Sequence, residues 1–147
     1  MFTELVRVRS LRIYFLLLGG VFAGLIAGCS APPLQISLEA SDMAYSVVEL
    51  RAVAGQPVRM TFLNAGALEH DFNIGEIKIS GFKYVEGGMV THEHGQATGT
   101  APQLHVMAMP GERAVAEFTP LRAGRYEFFC STEGHEQAGM HGTLVVQ

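Results

Sequence analysis

The chain has 147 residues, which is enough for one domain with a buried core and too few for two domains of ordinary size. Its formal net charge is −4 at pH 7, and no run of basic residues follows Arg12. Nucleic-acid phosphates require clustered cations, so this charge pattern argues against a nucleic-acid partner. Small cations and basic proteins stay compatible with it.

The N-terminal segment has the pattern of an export signal. Arg7, Arg9 and Arg12 precede 16 uncharged and mostly apolar residues, 13–28, which is the order found in secretory signal peptides. A bilayer-spanning helix needs about 20 apolar residues, so a permanent transmembrane anchor is the weaker interpretation. We therefore expect residues 1–28 to be removed during export.

A cysteine directly follows this segment. The sequence LIAGC at 25–29 resembles the bacterial lipobox, in which the cysteine is lipidated and becomes the first residue of the mature protein. The alternative is a small-residue cleavage site that happens to adjoin a cysteine. We predict lipidation of Cys29, followed by a linker at 29–33. Cys130 would then have no disulfide partner, and metal ligation would explain an unpaired thiol in an oxidising compartment.

Residues 34–147 have the pattern of a β-strand domain, because short runs of alternating apolar and polar residues are separated by Gly, Pro and Asn. Val58, Met60 and Phe62, for example, share one face of a strand. Residues 80–103 contain five glycines and no sustained alternation, so they predict a long surface loop. The pattern predicts an all-β sandwich. The predicted strands are 34–39, 46–52, 57–64, 70–74, 104–109, 113–120, 124–130 and 142–147.

One loop near the C-terminus contains three residue types that bind metals. Cys130, His135 and Met140 are separated by four residues each, and the loop lies between the last two predicted strands. Gly134 and Gly139 give the backbone freedom beside two of them. Such a loop can bring the three side chains together. The alternative is that they are unrelated and that the cysteine is an ordinary buried one.

A fourth donor must come from another part of the chain. His70 is the natural candidate, since it opens a predicted strand directly after the turn-rich residues 64–69. Two imidazoles, one thiolate and a weak axial thioether are the ligands of blue-copper electron-transfer sites, whereas zinc prefers more thiolates or four strong ligands. The combination favours a copper site with no open position for a substrate.

Two stretches of the sequence resemble the cupredoxin family, which includes plastocyanin and azurin. They are GRYEFFCSTEGHEQAGMHGTLVVQ at 124–147 and FLNAGALEHDFNI at 62–74, and the two four-residue gaps are most similar to the rusticyanin and auracyanin branch. The resemblance implies an eight-stranded Greek-key sandwich with one type 1 copper ion at one end. The ligands that it implies are ring nitrogens of His70 and His135, the thiolate of Cys130 and, more distantly, Met140.

One position departs from the family pattern. Many relatives have Asn directly after the first histidine, where its side chain connects the ligand loops, but this chain has Asp71. We expect Asp71 to accept hydrogen bonds from the cysteine loop at Ser131 or Thr132, and so to support the ligands.

The other histidines are weaker candidates for metal ligands. His92 and His94 form an H-x-H pair that could be a secondary metal site, as in multicopper oxidases. Those enzymes need several such pairs and histidines on both sides of the cysteine, so solvated loop histidines are the better interpretation. His105 lies in a predicted strand and is interpreted as a core or edge residue.

The resemblance implies a function in electron transfer. We expect a monomeric single-electron carrier, not an enzyme, that is exported and lipid-anchored on the periplasmic or extracellular face of a bacterial membrane. Its partners would be redox proteins, such as a cytochrome or a membrane electron-transport complex. The alternative is a periplasmic protein that binds and delivers copper. A copper enzyme would need a second complete ligand set, which the sequence lacks.

Overall fold

The computed structural model describes residues 31–88 and 104–147. The expected signal segment 1–28 lies outside these described residues, as do Cys29, His92 and His94, so their predicted roles stay predictions. Within the described ranges, no helix has the length and apolar character needed to cross a membrane.

The described residues form two five-stranded sheets. The strand order is β2-β1-β4-β8-β6 in the first sheet and β3-β10-β9-β5-β7 in the second. The strands are β1 (Leu34–Ser41), β2 (Ala44–Tyr45), β3 (Glu49–Ala52), β4 (Val58–Asn64), β5 (His70–Ile74), β6 (Ile79–Glu86), β7 (Leu104–Ala108), β8 (Arg113–Pro120), β9 (Gly124–Phe129) and β10 (His141–Val146).

Two of the strand pairings are parallel. β1 runs parallel to β4, with Leu34 opposite Val58, and β3 runs parallel to β10, with Glu49 opposite Thr143. Parallel neighbours need a crossover connection, so the chain passes repeatedly from one sheet to the other. The structure confirms the predicted all-β Greek-key sandwich, although it has ten strands in the described residues instead of eight.

The sequence pattern misses two strands and misplaces one loop. The prediction of a loop over 80–103 is wrong at its start, because β6 continues to Glu86 and pairs with β8. That pairing shifts register twice, and most side chains of β6 are exposed, so no clean alternation marks the strand. β2 has only two residues, and the predicted strand 46–52 is shortened to β3.

The core lies between the sheets and is built from alternate residues of the strands. Val58, Met60 and Phe62 of β4 are buried together, as their spacing predicts. Burying one such side chain contributes about 1.5–3 kcal/mol to stability. The largest fully buried apolar side chains are Phe62, Phe72, Phe128, Leu38, Met60, Ile74, Ile77, Leu104, Met140 and Leu144.

One end of the second sheet gathers the residues of the predicted site. β9 ends at Phe129 and β10 begins at His141, and these two residues are paired. β5 begins at His70, which is paired with Ala108 at the end of β7. Phe129 is also paired with Asn73 of β5, so the loop between β9 and β10 lies beside the start of β5.

Candidate metal centre

The loop between β9 and β10 carries three of the four predicted ligands. The Cys130 N–H donates to the Met140 carbonyl over 3.1 Å and closes the loop at its base. Within the loop, the Met140 N–H donates to the His135 carbonyl over 3.0 Å. Gly134 and Gly139 have φ angles of 83° and 103°, which residues with a side chain rarely adopt. The loop conformation therefore favours glycine at both positions.

The donor atoms of three predicted ligands converge. The Nδ1 atoms of His135 and His70 lie 3.5 and 3.8 Å from Cys130 Sγ, and the centroids of the two imidazole rings are 5.0 Å apart. Three potential ligand atoms, one from each of these residues, lie within 4.8 Å of one another. Met140, at the end of the same loop, is completely buried. The fold thus brings His70 to a cysteine that is 60 residues away in sequence.

The burial of these groups favours their uncharged forms in the metal-free protein. Burial raises the pKa of the Cys130 thiol, although the polar groups of Thr132 act in the opposite direction. Burial, together with the neighbouring His135, lowers the pKa of His70. An imidazole must be neutral to bind a metal, so the shift at His70 favours ligation. A bound cation would displace the proton of the thiol.

His70 is positioned by the loop that precedes β5. Asn64 Nδ2 donates to the carbonyl oxygens of Leu68 and Ala108 over 2.7 and 2.9 Å. The Asn64 side-chain oxygen accepts a hydrogen bond from the Gly66 N–H over 2.9 Å. A Cβ atom at Gly66 would lie 2.7 Å from His70 Nε2, so the backbone there approaches the imidazole as closely as only glycine allows.

Asp71 connects β5 to the cysteine loop. Its Oδ1 accepts a 2.7 Å hydrogen bond from the Ser131 N–H, and its Oδ2 accepts one from the Ser131 hydroxyl. Thr132 donates its hydroxyl instead to the Glu69 carbonyl over 3.0 Å. Ser131 and Thr132 are therefore hydrogen-bonded to the two residues that flank His70. Hydrogen bonds of this kind hold the ligands of a metal site in place.

The Asp71 carboxylate is ionised although it is buried. Burial raises its pKa, but polar contacts with His105, Ser131 and Asn73 outweigh that effect and hold the pKa at about 2. Asp71 therefore places a full negative charge beside the ligand loop at neutral pH. The asparagine of the family pattern would place none there.

Three residues that support the site escape the sequence analysis. Asn64 and Gly66 read only as turn residues, and the Asn-x-Gly pattern shortly before His70 is the signal that could have identified them. Tyr45 donates its buried hydroxyl to the Asp71 carbonyl. No local pattern indicates that contact, because the two residues are 26 positions apart in sequence.

The other described histidines lie apart from this cluster. Among residues 31–88 and 104–147, His70, Cys130 and His135 form the one group of three potential ligands close enough to share a metal. His105 faces Asp71, and His141 is exposed near Glu127.

The donor set fits copper better than it fits zinc. It combines one thiolate with two imidazoles, and the further sulfur at the end of the loop is a thioether and not a second thiolate. His70, His135, Cys130 and Met140 are at most 1% exposed, so solvent has no access to the cluster. The residues present therefore fit a type 1 copper ion.

Comparisons with known proteins agree with this geometry. The family model for copper binding proteins of the plastocyanin/azurin family matches residues 33–147. The chain is 31% identical over 142 residues to the copper-resistant cuproprotein CopI of Pseudomonas aeruginosa, and the alignment covers 77% of this chain and 76% of that protein. It is 28% identical over 106 residues to CopI of Rubrivivax gelatinosus, which covers 71% of this chain but only 61% of that relative.

A solved structure supports the same fold. Auracyanin A, a "blue" copper protein from Chloroflexus aurantiacus, superposes with a TM-score of 0.59 and 22% identity, over 79% of this chain and 100% of that one. At this identity the likeness concerns the fold alone. The family match, which spans nearly all described residues and includes every residue of the copper site, shows that the chain belongs to the plastocyanin/azurin family of copper-binding proteins.

Proposed function

We propose that this protein is a single-electron carrier with a type 1 copper centre. His70, His135 and Cys130 would supply the three strong ligands, and Met140 the weak axial one. The observation that carries this proposal is the approach of Cys130 Sγ to two imidazole Nδ1 atoms, at 3.5 and 3.8 Å, in a fully buried cluster.

The contribution of the protein is to keep its ligands in one arrangement. Bound copper would supply the redox chemistry by alternating between its cuprous and cupric states. The ligand loop is closed by the bond between Cys130 and Met140, and it is held to β5 by Asp71 and Thr132. None of these contacts involves a metal, so we expect them to be the same before and after each electron transfer. Burial also excludes water from the ligands.

The site supports electron transfer better than catalysis. Catalytic metal sites keep a position open for water or substrate. Here His70, Cys130 and His135 converge, and Met140 at the end of the same loop is buried, so the described residues offer no open position. We therefore propose a carrier and not an enzyme.

The proposed carrier acts outside a bacterial membrane. The basic and then apolar pattern of residues 1–28 supports export, and lipidation of Cys29 would tether the domain to the membrane. Without residues 1–28 the chain carries a net charge of −6, which suits brief, electrostatically steered encounters with basic partners. We propose that a monomer exchanges electrons with a cytochrome or a membrane electron-transport complex.

A second function, copper binding and delivery, is favoured by a different observation. Two relatives with 31% and 28% identity are named copper-resistant cuproproteins. A protein with this role would bind copper through the same residues and pass it on, or would keep it away from other proteins. The buried ligand set suits secure holding better than rapid transfer.

Spectroscopy and a transfer assay separate the two functions. The test protein is the soluble chain from residue 30 onward, loaded with cupric ion. A carrier should show intense visible absorption from the thiolate–copper bond, a narrow copper hyperfine splitting in EPR, and a reversible one-electron wave. Colourless binding, or rapid and complete transfer of copper to an added chelator, would contradict the carrier and support delivery.

A further inference from the structure

His105 contacts the Asp71 carboxylate from the neighbouring strand. It lies on β7, the edge strand of the second sheet, where it is paired with Asn73 of β5. His105 Nε2 is 3.3 Å from Asp71 Oδ2, and the two side chains are 29% and 8% exposed. The contact is therefore sheltered, but it lacks hydrogen-bond geometry, because His105 Nε2 has no hydrogen-bond partner among the described residues.

The carboxylate connects His105 to the residue that follows the cysteine ligand. Asp71 Oδ1 accepts from the Ser131 N–H, whereas Oδ2 both accepts from the Ser131 hydroxyl and faces His105. Ser131 is bonded covalently to Cys130. A change in the orientation of the carboxylate would therefore release the backbone beside the thiolate, so a group that orients Asp71 also orients Cys130.

The backbone of His105 is fixed from the other sheet. Tyr84 on β6 donates its hydroxyl to the His105 carbonyl over 2.9 Å. β6 belongs to the first sheet and β7 to the second, so this hydrogen bond connects the edges of the two sheets. His105 thus approaches Asp71 from a fixed part of the sandwich.

We propose that His105 is a positioning residue of the copper site, which holds the Asp71 carboxylate against Ser131, withdraws part of its negative charge and thereby raises the reduction potential. This inference rests on the proposed electron-carrier function. A carboxylate near the metal stabilises the cupric state more than the cuprous state, because the cupric ion has the larger positive charge. A polar imidazole nitrogen 3.3 Å from that carboxylate, in a sheltered contact, offsets part of its charge and weakens the preference.

Substitutions of His105 in two backgrounds test the inference. In the mature protein, His105→Leu removes the ring N–H, whereas His105→Gln keeps a side-chain donor. We expect His105→Leu to shift the reduction potential downward and His105→Gln to restore most of the shift. In an Asp71→Asn background, which lacks the charge, His105→Leu should cause no further shift. An equal shift in both backgrounds, or no shift in either, would overturn the inference.

The metal-free protein provides a readout that does not depend on copper. Loss of the contact should speed hydrogen exchange of the Ser131 amide about tenfold, because the carboxylate that accepts from this amide would no longer be held in one orientation. The Leu144 amide, in the middle of β10, is the control and should keep its rate. An unchanged Ser131 rate would also overturn the inference. If the copper-loaded wild type gives no reversible wave, the proposed function fails, and Ser131 exchange then decides by itself whether His105 positions Asp71.

Discussion

The two parts of the copper site are held by different kinds of contact. Cys130, His135 and Met140 lie in one loop, and the hydrogen bonds that shape it are formed mostly within the loop. His70 lies 60 residues before Cys130, and its place depends on the pairing of β5 with β7 and β9 and on the side chain of Asn64. The loop thus determines which metal the site favours, whereas the sandwich determines whether the site is complete.

This difference predicts two kinds of failure. A substitution of a loop ligand should abolish the type 1 copper site and leave the β-sandwich folded, because the loop connects two strands that pair directly with each other. A substitution around His70 should change the arrangement of the copper ligands, and the change should be larger the further the His70 imidazole moves. Four variants, ordered by expected effect, test this view.

The largest effect should come from Cys130→Ser. A serine hydroxyl stays protonated at neutral pH and is a poor ligand for copper, so the intense visible absorption should disappear. Loss of a residue that hydrogen-bonds a metal ligand lowers metal affinity by up to about 100-fold. Loss of the thiolate ligand itself should lower the copper affinity by more than that. Absorption spectra and calorimetric titration measure both. Retention of the blue absorption would contradict the assignment of the thiolate.

His70→Ala removes the ligand supplied by the sandwich. We expect copper to stay bound to the loop residues with at least about 100-fold lower affinity, which reduces the stabilisation of the fold by copper by about 2.7 kcal/mol. Unfolding with and without copper measures this difference. His141→Ala, at an exposed histidine next to Met140, is the matched control and should leave the copper-dependent stability unchanged. Equal losses in the two variants would show that His70 is not a ligand.

Gly66→Ala tests the close approach of backbone to imidazole. The new Cβ would lie 2.7 Å from His70 Nε2 and 2.9 Å from the Asp42 backbone nitrogen, so the loop or the imidazole must move. We expect a destabilisation of about 1–3 kcal/mol and a changed copper spectrum.

Gly75→Ala provides the control for that variant. No atom lies within 4 Å of a Cβ at this position, and the spectrum should stay that of the wild type. A normal spectrum and normal stability for Gly66→Ala would show that the backbone around Gly66 does not constrain His70.

Asp71→Asn should have the smallest effect. The amide keeps the shape of the side chain and one acceptor oxygen for the Ser131 N–H, but it removes the negative charge. The cupric state loses more stabilisation than the cuprous state, so the reduction potential should rise, while the free energy of unfolding changes by only about 1 kcal/mol. Voltammetry and chemical unfolding measure the two quantities. A potential that falls would contradict the ionised state of Asp71.

The ligand loop could be predicted from the sequence because its three ligands are close together in the chain. The spacing of Cys130, His135 and Met140 corresponds to one closed loop, so residue types and intervals carry most of the information. His70 could be placed at a strand end by its turn-rich neighbours. Its distance of 3.8 Å from Cys130 Sγ depends on the register between β5 and β9, which alternation alone does not specify.

The fold was predictable where strands alternate cleanly and not elsewhere. β4 alternates buried and less buried side chains, so its sequence predicts a strand, whereas β6 contains Gly81 with a φ of 64° and pairs with irregular register. The contact between His105 and Asp71 also cannot be predicted from the sequence. It requires knowing that β7 pairs with β5, and the two strands are separated in sequence by β6 and by residues 89–103.

The complete burial of the ligands has a consequence for how copper reaches them. With each of the four side chains at most 1% exposed, an ion cannot diffuse to them while the loop is closed. We therefore expect loading and release to require local opening of the loop, with loss of the Cys130–Met140 hydrogen bond. On that expectation, the rate of loop opening sets how long each ion stays bound, and slow opening would retain copper even where its equilibrium affinity is modest.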